Sequence, residues 1–301
     1  MRIGVNPLIW INDDEPALGA DVSLEQCLAE ARQAGYVGIE MGHRFPTSAR
    51  ELAPLLARHR LALVSGWYGA HLLERGAERE MEVLRPHLEL LRAMGCATLV
   101  FGELTGAVHC QDVPLSRRPV LDRPGMARFT RELDRLATLA RREGVRLALH
   151  HHVGTVVETP EEIERVMLDT SDAVGLVLDT GHLAWGAAEP LALDRFVERH
   201  GDRIVHVHLK DVRADVLARA RREALPFLTA VREGVFTVPG DGSLALEPAI
   251  EALSRRDYRG WIVVEAEQDP ARAHPLTYAR LGHAGATRMI AACARTLPDA
   301  A

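Results

Sequence analysis

The sequence predicts an α/β protein, a (β/α)8 TIM barrel, and three observations carry that prediction. Eight short apolar runs alternate with helix-period segments along the 301 residues. Nearly every run ends abruptly in a polar or ionisable residue. The length suits one such barrel, which takes about 250 residues before insertions.

The runs cover 2–6, 37–40, 61–67, 98–103, 146–152, 174–179, 204–211 and 261–267. Helix start signals lie between them. Ser23 with Gln26 and Ser48 with Glu51 fit capping boxes, and Thr159-Pro160-Glu161-Glu162 adds proline at the first helical position. Gly35, Gly95, Gly144 and Gly201 follow helical segments, where left-handed C-caps are expected. No Gly-x-Gly-x-x-Gly follows the first run, which lowers a dinucleotide-binding reading, and no linker divides the chain. A single barrel domain over 1–301 is therefore expected. Two long segments, 104–123 and 212–242, follow strands and read as active-site loops. An extra helix is expected over 274–297, where it would cap the barrel or mediate a homodimer.

A net charge of −6 disfavours nucleic acid and anionic membrane as partners, since both need a basic face. No run of 18 apolar residues exists, and the N-terminus leads directly into a strand without a signal-peptide pattern. A soluble, cytoplasmic protein is expected. The four cysteines, Cys27, Cys96, Cys110 and Cys293, form no CxxC pair and read as structural thiols. Cys110 is the exception to watch, because it sits in a loop beside His109.

Active sites of such barrels lie at the C-terminal strand ends. Here those ends carry Asn6, Glu40, Trp67, Glu103, His150-His151-His152, Asp179, His208 and Glu265. Strand alternation turns His206, His208 and Lys210 inward and Val205, Val207 and Leu209 outward. It also points His150 and His152 inward with His151 outward, and groups Val263 with Glu265 and Glu267. Four consecutive strands thus present Asp, Glu or His at the mouth. Imidazole and carboxylate without thiolate suits an open Mn²⁺, Co²⁺, Fe²⁺ or Zn²⁺ site. Taken singly, a buried His is an ordinary core residue, Asp179 could cap a helix and Glu267 could be a rim charge. Together, several inward charges are costly to bury unless something pairs them. Lys210 is the chain's single lysine among 36 basic residues. Burial can lower a lysine's pKa, so its inward placement reads as a functional amine.

The stretches Gly38-Ile39-Glu40, Asp179-Thr180-Gly181-His182, His206-Val207-His208-Leu209-Lys210-Asp211 and Val263-Val264-Glu265 resemble the xylose-isomerase-like superfamily. Asn6-Pro7-Leu8-Ile9-Trp10, Asn12-Asp13-Asp14, Ser65-Gly66-Trp67-Tyr68, His150-His151-His152 and Glu265-Ala266-Glu267 are similar to its inosose dehydratase branch. That resemblance implies a hydro-lyase of inositol catabolism, converting 2-keto-myo-inositol to a trihydroxycyclohexane-1,2-dione through an enediolate. It implies a divalent metal, Mn²⁺ or Co²⁺, held by Asp179, His208 and Glu265. The fourth position falls on His150 where the superfamily has Glu, and His152 or water are the alternatives. His152, Lys210, Glu267 and His182 are the acid–base candidates. Asn6, Glu40, Trp67, His182 and Arg213 are assigned to a polyol or ketose pocket.

A ketose isomerase or 3-epimerase of the same superfamily is the nearest alternative, since it shares the metal and the enediolate. An endonuclease acting on abasic DNA needs a basic groove that this composition does not favour. A non-catalytic sugar-binding protein would not need the full set of metal-type residues.

Overall fold

The computed structural model describes residues 1–296, with side chains through Cys293. Eight strands close a parallel barrel: β1 (Arg2–Val5), β2 (Gly38–Met41), β3 (Ala62–Ala70), β4 (Thr98–Glu103), β5 (Arg146–Leu149), β6 (Gly175–Asp179), β7 (Ile204–Leu209) and a last strand, Trp261–Val264. Between β7 and that last strand lies a short antiparallel ribbon of β8 (Asp211–Val212) and β9 (Phe236–Thr237), so the last strand is β10. It pairs with both β7 and β1, which closes the ring.

Side-chain alternation divides the core into two layers. Leu147, Leu149, Leu176, Leu178, Val207 and Leu209 face outward and join the helices in one cluster. Val100, Ala148 and Val177 form a smaller cluster inside the barrel. Each large aliphatic side chain buried this way contributes roughly 1.5–3 kcal/mol. Val205 departs from the expected alternation, for it packs against the inner cluster. The register between β6 and β7 shifts there, Leu176 facing Ile204 but Val177 facing His206. The extra residue turns Val205 inward while His206 and His208 keep their inward direction.

The strands at 146–152 and 261–267 stop earlier than their apolar runs. His150 still donates its amide to Phe101, but His152 turns back to Val157, so the histidine run curls over the mouth instead of extending the ladder. Ser23, Ser48 and Thr159 cap their helices, and Thr159 forms the complete reciprocal box. Gln26 reaches forward to Glu30 rather than back to Ser23. Gly35, Gly95 and Gly144 have positive φ. Gly201 does not: its φ is −56°, and the absent side chain instead makes room for Arg256.

The helix Pro275–Thr296 lies beside the helices Leu24–Ala34 and Glu247–Arg255 and occupies the eighth helical position around the barrel. The Tyr36 hydroxyl donates to the Ala279 carbonyl at 2.9 Å and ties it in place. The predicted end of this helix, Leu297, lies outside the described residues. Segment 104–123 holds one 3-10 turn, Leu115–Arg117. Segment 212–242 is more ordered than a loop, with helices Ala214–Glu223 and Phe227–Arg232 and a small core around Phe227, Phe236 and Trp185. Among the described residues no helix is long and apolar enough to cross a membrane.

Candidate functional site

Four side chains from consecutive barrel strands meet at the mouth. Asp179 ends β6, His208 lies in β7, Glu265 follows β10 and His150 follows β5. His208 Nδ1 is 2.9 Å from Glu265 Oε2, 3.5 Å from Asp179 Oδ2 and 3.2 Å from His150 Nε2. His150 Nε2 is 3.4 Å from Asp179 Oδ2. All four are buried.

Asp179 divides its two oxygens. Oδ1 accepts from the His182 amide at 2.7 Å and caps the helix Thr180–Gly186. Oδ2 faces the cluster and has no hydrogen-bond partner. The capping and the functional readings of this residue are therefore both present in one side chain. Burial opposes its ionisation, but Lys210 and the nearby imidazoles outweigh that and hold its carboxyl well below the ordinary range.

Glu40 lies one layer deeper. Its carboxylate accepts from His206 Nε2 at 2.8 Å, from Ser65 Oγ, and from Asn6 Nδ2 at 2.7 Å, and His208 Nε2 approaches it at 3.1 Å. Asn6 donates a second bond to Glu265 Oε2 at 2.9 Å, and its carbonyl oxygen caps the Leu8 amide. Both residues were expected in the substrate pocket. They border the cleft, yet their polar atoms are engaged with one another and with His208 and Glu265. Burial opposes charge on Glu40, but His208 and His206 hold it ionised.

Lys210 is fully buried behind the cluster. Its Nζ lies 2.7 Å from Glu265 Oε1, 2.8 Å from Glu267 Oε2 and 3.4 Å from Asp179 Oδ2, and it sits 4.6 Å from the Phe236 ring centre. The expectation of a readily deprotonated amine is corrected. Burial does lower its pKa, but the three carboxylates more than reverse this and hold it as an ammonium. Its stem also explains a glycine. A Cβ on Gly181 would come within 2.6 Å of Lys210 Cγ and Cδ, so the turn after Asp179 admits the lysine only with glycine there.

His152 donates Nδ1–H to the Val153 carbonyl at 2.7 Å, which leaves Nε2 with its lone pair. Burial, with help from His182 and His109, keeps its pKa well below the ordinary value, so the ring is neutral. His182 is completely buried behind His152, with ring centres 3.8 Å apart, and its Nε2 is 3.3 Å from Glu267. It is not among the residues that line the cleft, although a ring nitrogen lies within 4.8 Å of ligand atoms of His150, Asp179 and Glu265. Phe227 and Phe236 close off that side.

A narrow, partly open cleft lies above these groups. Trp67, His150, His152 and Glu267 line it as expected, and Asp14 and His109 line it as well. Trp67 is partly exposed and lies edge-on to His150. A Cβ on Gly102 would overlap its indole, so the glycine next to Glu103 makes the indole's seat. Arg213 does not line the cleft. Its guanidinium donates to Gly234 O, Thr237 Oγ1 and Asp241 Oδ2, at 2.8, 3.1 and 2.6 Å, and clamps the β8–β9 excursion. Glu103 is likewise structural, capping the helix Leu72–Ala93 through the Leu72 amide. Partial burial and the Asp14 carboxylate push the Cys110 thiol up to about 12, the reverse of an activated nucleophile.

Asp14 and His109 lie outside every strand, so no side-chain alternation marks them as site residues. The available signal was their position on loops that follow β1 and β4 at the catalytic end of the barrel.

Residues 28–285 match the family model described as xylose isomerase-like TIM barrel. The chain is 47% identical over 301 residues to the rhizopine catabolism protein MocC of Rhizobium meliloti, covering 100% of this chain and 92% of that protein. It is 40% identical over 282 residues to an inosose dehydratase of Geobacillus thermodenitrificans, covering 93% and 94%. Among solved structures, the IOLI protein with a binding zinc atom superposes with a TM-score of 0.69 at 17% identity, over 97% of this chain and 99% of that one. An L-ribulose 3-epimerase gives 0.69 at 18%, over 98% and 96%. The chain belongs to the xylose isomerase-like TIM barrel family.

Proposed function

We propose that this protein is a metal-dependent hydro-lyase that dehydrates 2-keto-myo-inositol to a trihydroxycyclohexane-1,2-dione. The observation that carries this reading is the compact set of Asp179, His208, Glu265 and His150. Ligands held about 2.0–2.2 Å from one ion lie about 3–3.6 Å from each other. The separations of 2.9–3.5 Å fit that spacing. Asp179 Oδ2 fits it too, for it makes no hydrogen bond yet faces His150 and His208 at 3.4 and 3.5 Å. These four residues would hold a divalent cation, with Mn²⁺ or Co²⁺ the first ions to test. When bound, the cation supplies Lewis acidity toward a ketone oxygen and its neighbouring hydroxyl.

The chain's own residues divide the proton work. His152, neutral and fixed in one tautomer by Val153, takes the proton α to the ketone on Nε2. The β-hydroxyl leaves as water, protonated by the acid form of Glu267, which lines the cleft and is positioned by Lys210. The enol so formed tautomerises to the dione. His182 keeps Glu267 in place from behind, and Trp67 offers an apolar face to ring C–H groups. Phe227 and Phe236 exclude water from the proton path.

The inosose dehydratase relatives support the substrate class. The higher identity to the Rhizobium protein favours a second reading, in which the substrate is a compound of rhizopine catabolism. A ketose isomerase or 3-epimerase remains the third. Turnover of the metal-loaded protein on a panel of 2-keto-myo-inositol, rhizopine and ketohexoses separates them. Dione from 2-keto-myo-inositol supports the proposal, while epimerised or isomerised ketohexose with no dione would replace it.

A further inference from the structure

We infer that Asp14 and His109 form a second subsite of the cleft, which takes the hydroxyl groups of a polyol ring remote from its ketone. This rests on the dehydratase reading and adds to it the means by which a polyhydroxylated ring is distinguished from a simple hydroxyketone. Each residue sits on a loop that is held rather than free. The Asn12 side chain accepts from the amides of Asp14 and Glu15, at 2.9 and 2.8 Å, and fixes the turn that presents Asp14. The Val108 amide donates to the Gly154 carbonyl at 2.9 Å and fixes His109 beside the loop that carries His152, with ring centres 4.8 Å apart.

His109 is 94% buried, yet neither ring nitrogen makes a hydrogen bond, and its Nδ1 has no partner at all. Its Nε2 points at Asp14 Oδ1 across 3.8 Å. That gap is too long for a direct bond and suits one oxygen that donates to the carboxylate and accepts from the ring. Nε2 and Oδ1 face each other without a direct bond, and a substrate hydroxyl has both the donor and the acceptor to bridge them. The only other contact to Asp14 Oδ1 from this loop is the weak thiol donor of Cys110 at 3.6 Å.

The chemistry of the walls limits what the ring can carry. Among the described residues no arginine or lysine lines the cleft, whereas Asp13, Asp14, Glu40, Glu265 and Glu267 do. A phosphate at the Asp14–His109 end would meet the carboxylates of Asp13 and Asp14. An uncharged ring that bears hydroxyls on most carbons can engage the metal set with one edge and Asp14–His109 with the other, with Trp67 against its C–H face. Burial and the charges of Glu267 and Asp13 raise the Asp14 carboxyl to about 7.

The test uses metal-loaded full-length protein as wild type, Asp14→Asn, Asp14→Ala and His109→Phe. KM for 2-keto-myo-inositol is compared with the competitive inhibition constant of 2-hydroxycyclohexanone, which keeps the ketone and its neighbouring hydroxyl but lacks the remote ones. The expected result is a KM raised about ten-fold or more in Asp14→Ala and His109→Phe, with the inhibition constant and metal content unchanged. Asp14→Asn, which keeps an acceptor in place, should fall between. A wild-type KM in the variants overturns the inference. An equal loss for both probes also overturns it, since that would mean general damage to the cleft. Wild-type protein that makes no dione overturns the functional reading, and the subsite with it.

Discussion

Glu40 and His208 are joined across the barrel floor, His208 Nε2 lying 3.1 Å from the Glu40 carboxylate while Nδ1 of the same ring faces Asp179, Glu265 and His150. A carboxylate behind a histidine fixes its tautomer and raises its basicity as a ligand. Glu40 is thus a positioning residue, and Glu40→Gln is expected to weaken metal affinity by about 10–100-fold. Competition with a chelating dye measures this without any turnover. Unchanged affinity would leave Glu40 with a packing role only.

Lys210 should reveal itself in stability. Removing one partner of a buried charge group costs about 3–5 kcal/mol because the others are left uncompensated. Lys210→Met leaves Asp179, Glu265 and Glu267 facing one another, so the metal-free variant should melt well below wild type. Added Mn²⁺ should recover part of the loss. Equal melting temperatures for the metal-free proteins would contradict the ion-pair arrangement.

His109 links stability to pH. Burial lowers its pKa from 6.5 to about 4. A group whose folded pKa is depressed contributes stability above its unfolded value, and that contribution fades as pH falls from about 6.5 toward 4. At roughly 1.4 kcal/mol per unit, the loss reaches about 3 kcal/mol at most. Denaturant titrations of wild type and His109→Phe across this range should show a shallower decline for the variant. Parallel declines would place the acid sensitivity elsewhere.

Arg213 belongs to the scaffold. Arg213→Ala should destabilise the protein by about 1–3 kcal/mol, because the Gly234 carbonyl loses this donor and Asp241 keeps only Thr237 Oγ1. KM should change less than two-fold. A KM raised ten-fold with stability intact would restore the substrate-contact assignment.

Much of this was legible in the sequence for a simple physical reason. Parallel strands point alternate side chains inward, and barrel chemistry sits where strands end. Asp179, His208, Glu265 and His150 could therefore be placed together from spacing and the resemblance. Hydrogen-bond partners could not. Asn6 and Glu40 are 34 residues apart, and Glu40 and His206 are 166 apart, so periodicity marks each as near the mouth without saying that they satisfy one another. The inward turn of Val205 depends on a register shift against β6 that no local pattern records. His182 lies behind His152 because the helix capped by Asp179 starts at once and buries it there, still within 4.8 Å of ligand atoms of the cluster. Asp14 and His109 lie on loops, where no period tells a side chain which way to face.

The most direct test of the account is to strip the protein of metal, assay dione formation from 2-keto-myo-inositol, and then titrate in Mn²⁺ or Co²⁺, with Asp179→Asn in parallel. Asparagine keeps the helix cap through Oδ1 and loses the charge at the cluster, so the variant should fold like wild type. The account predicts no turnover without metal, restored turnover with about one ion bound per chain, and a folded Asp179→Asn with at least about a hundred-fold lower activity. Full activity in the stripped protein, or wild-type activity in Asp179→Asn, would contradict a catalytic metal at Asp179, His208, Glu265 and His150.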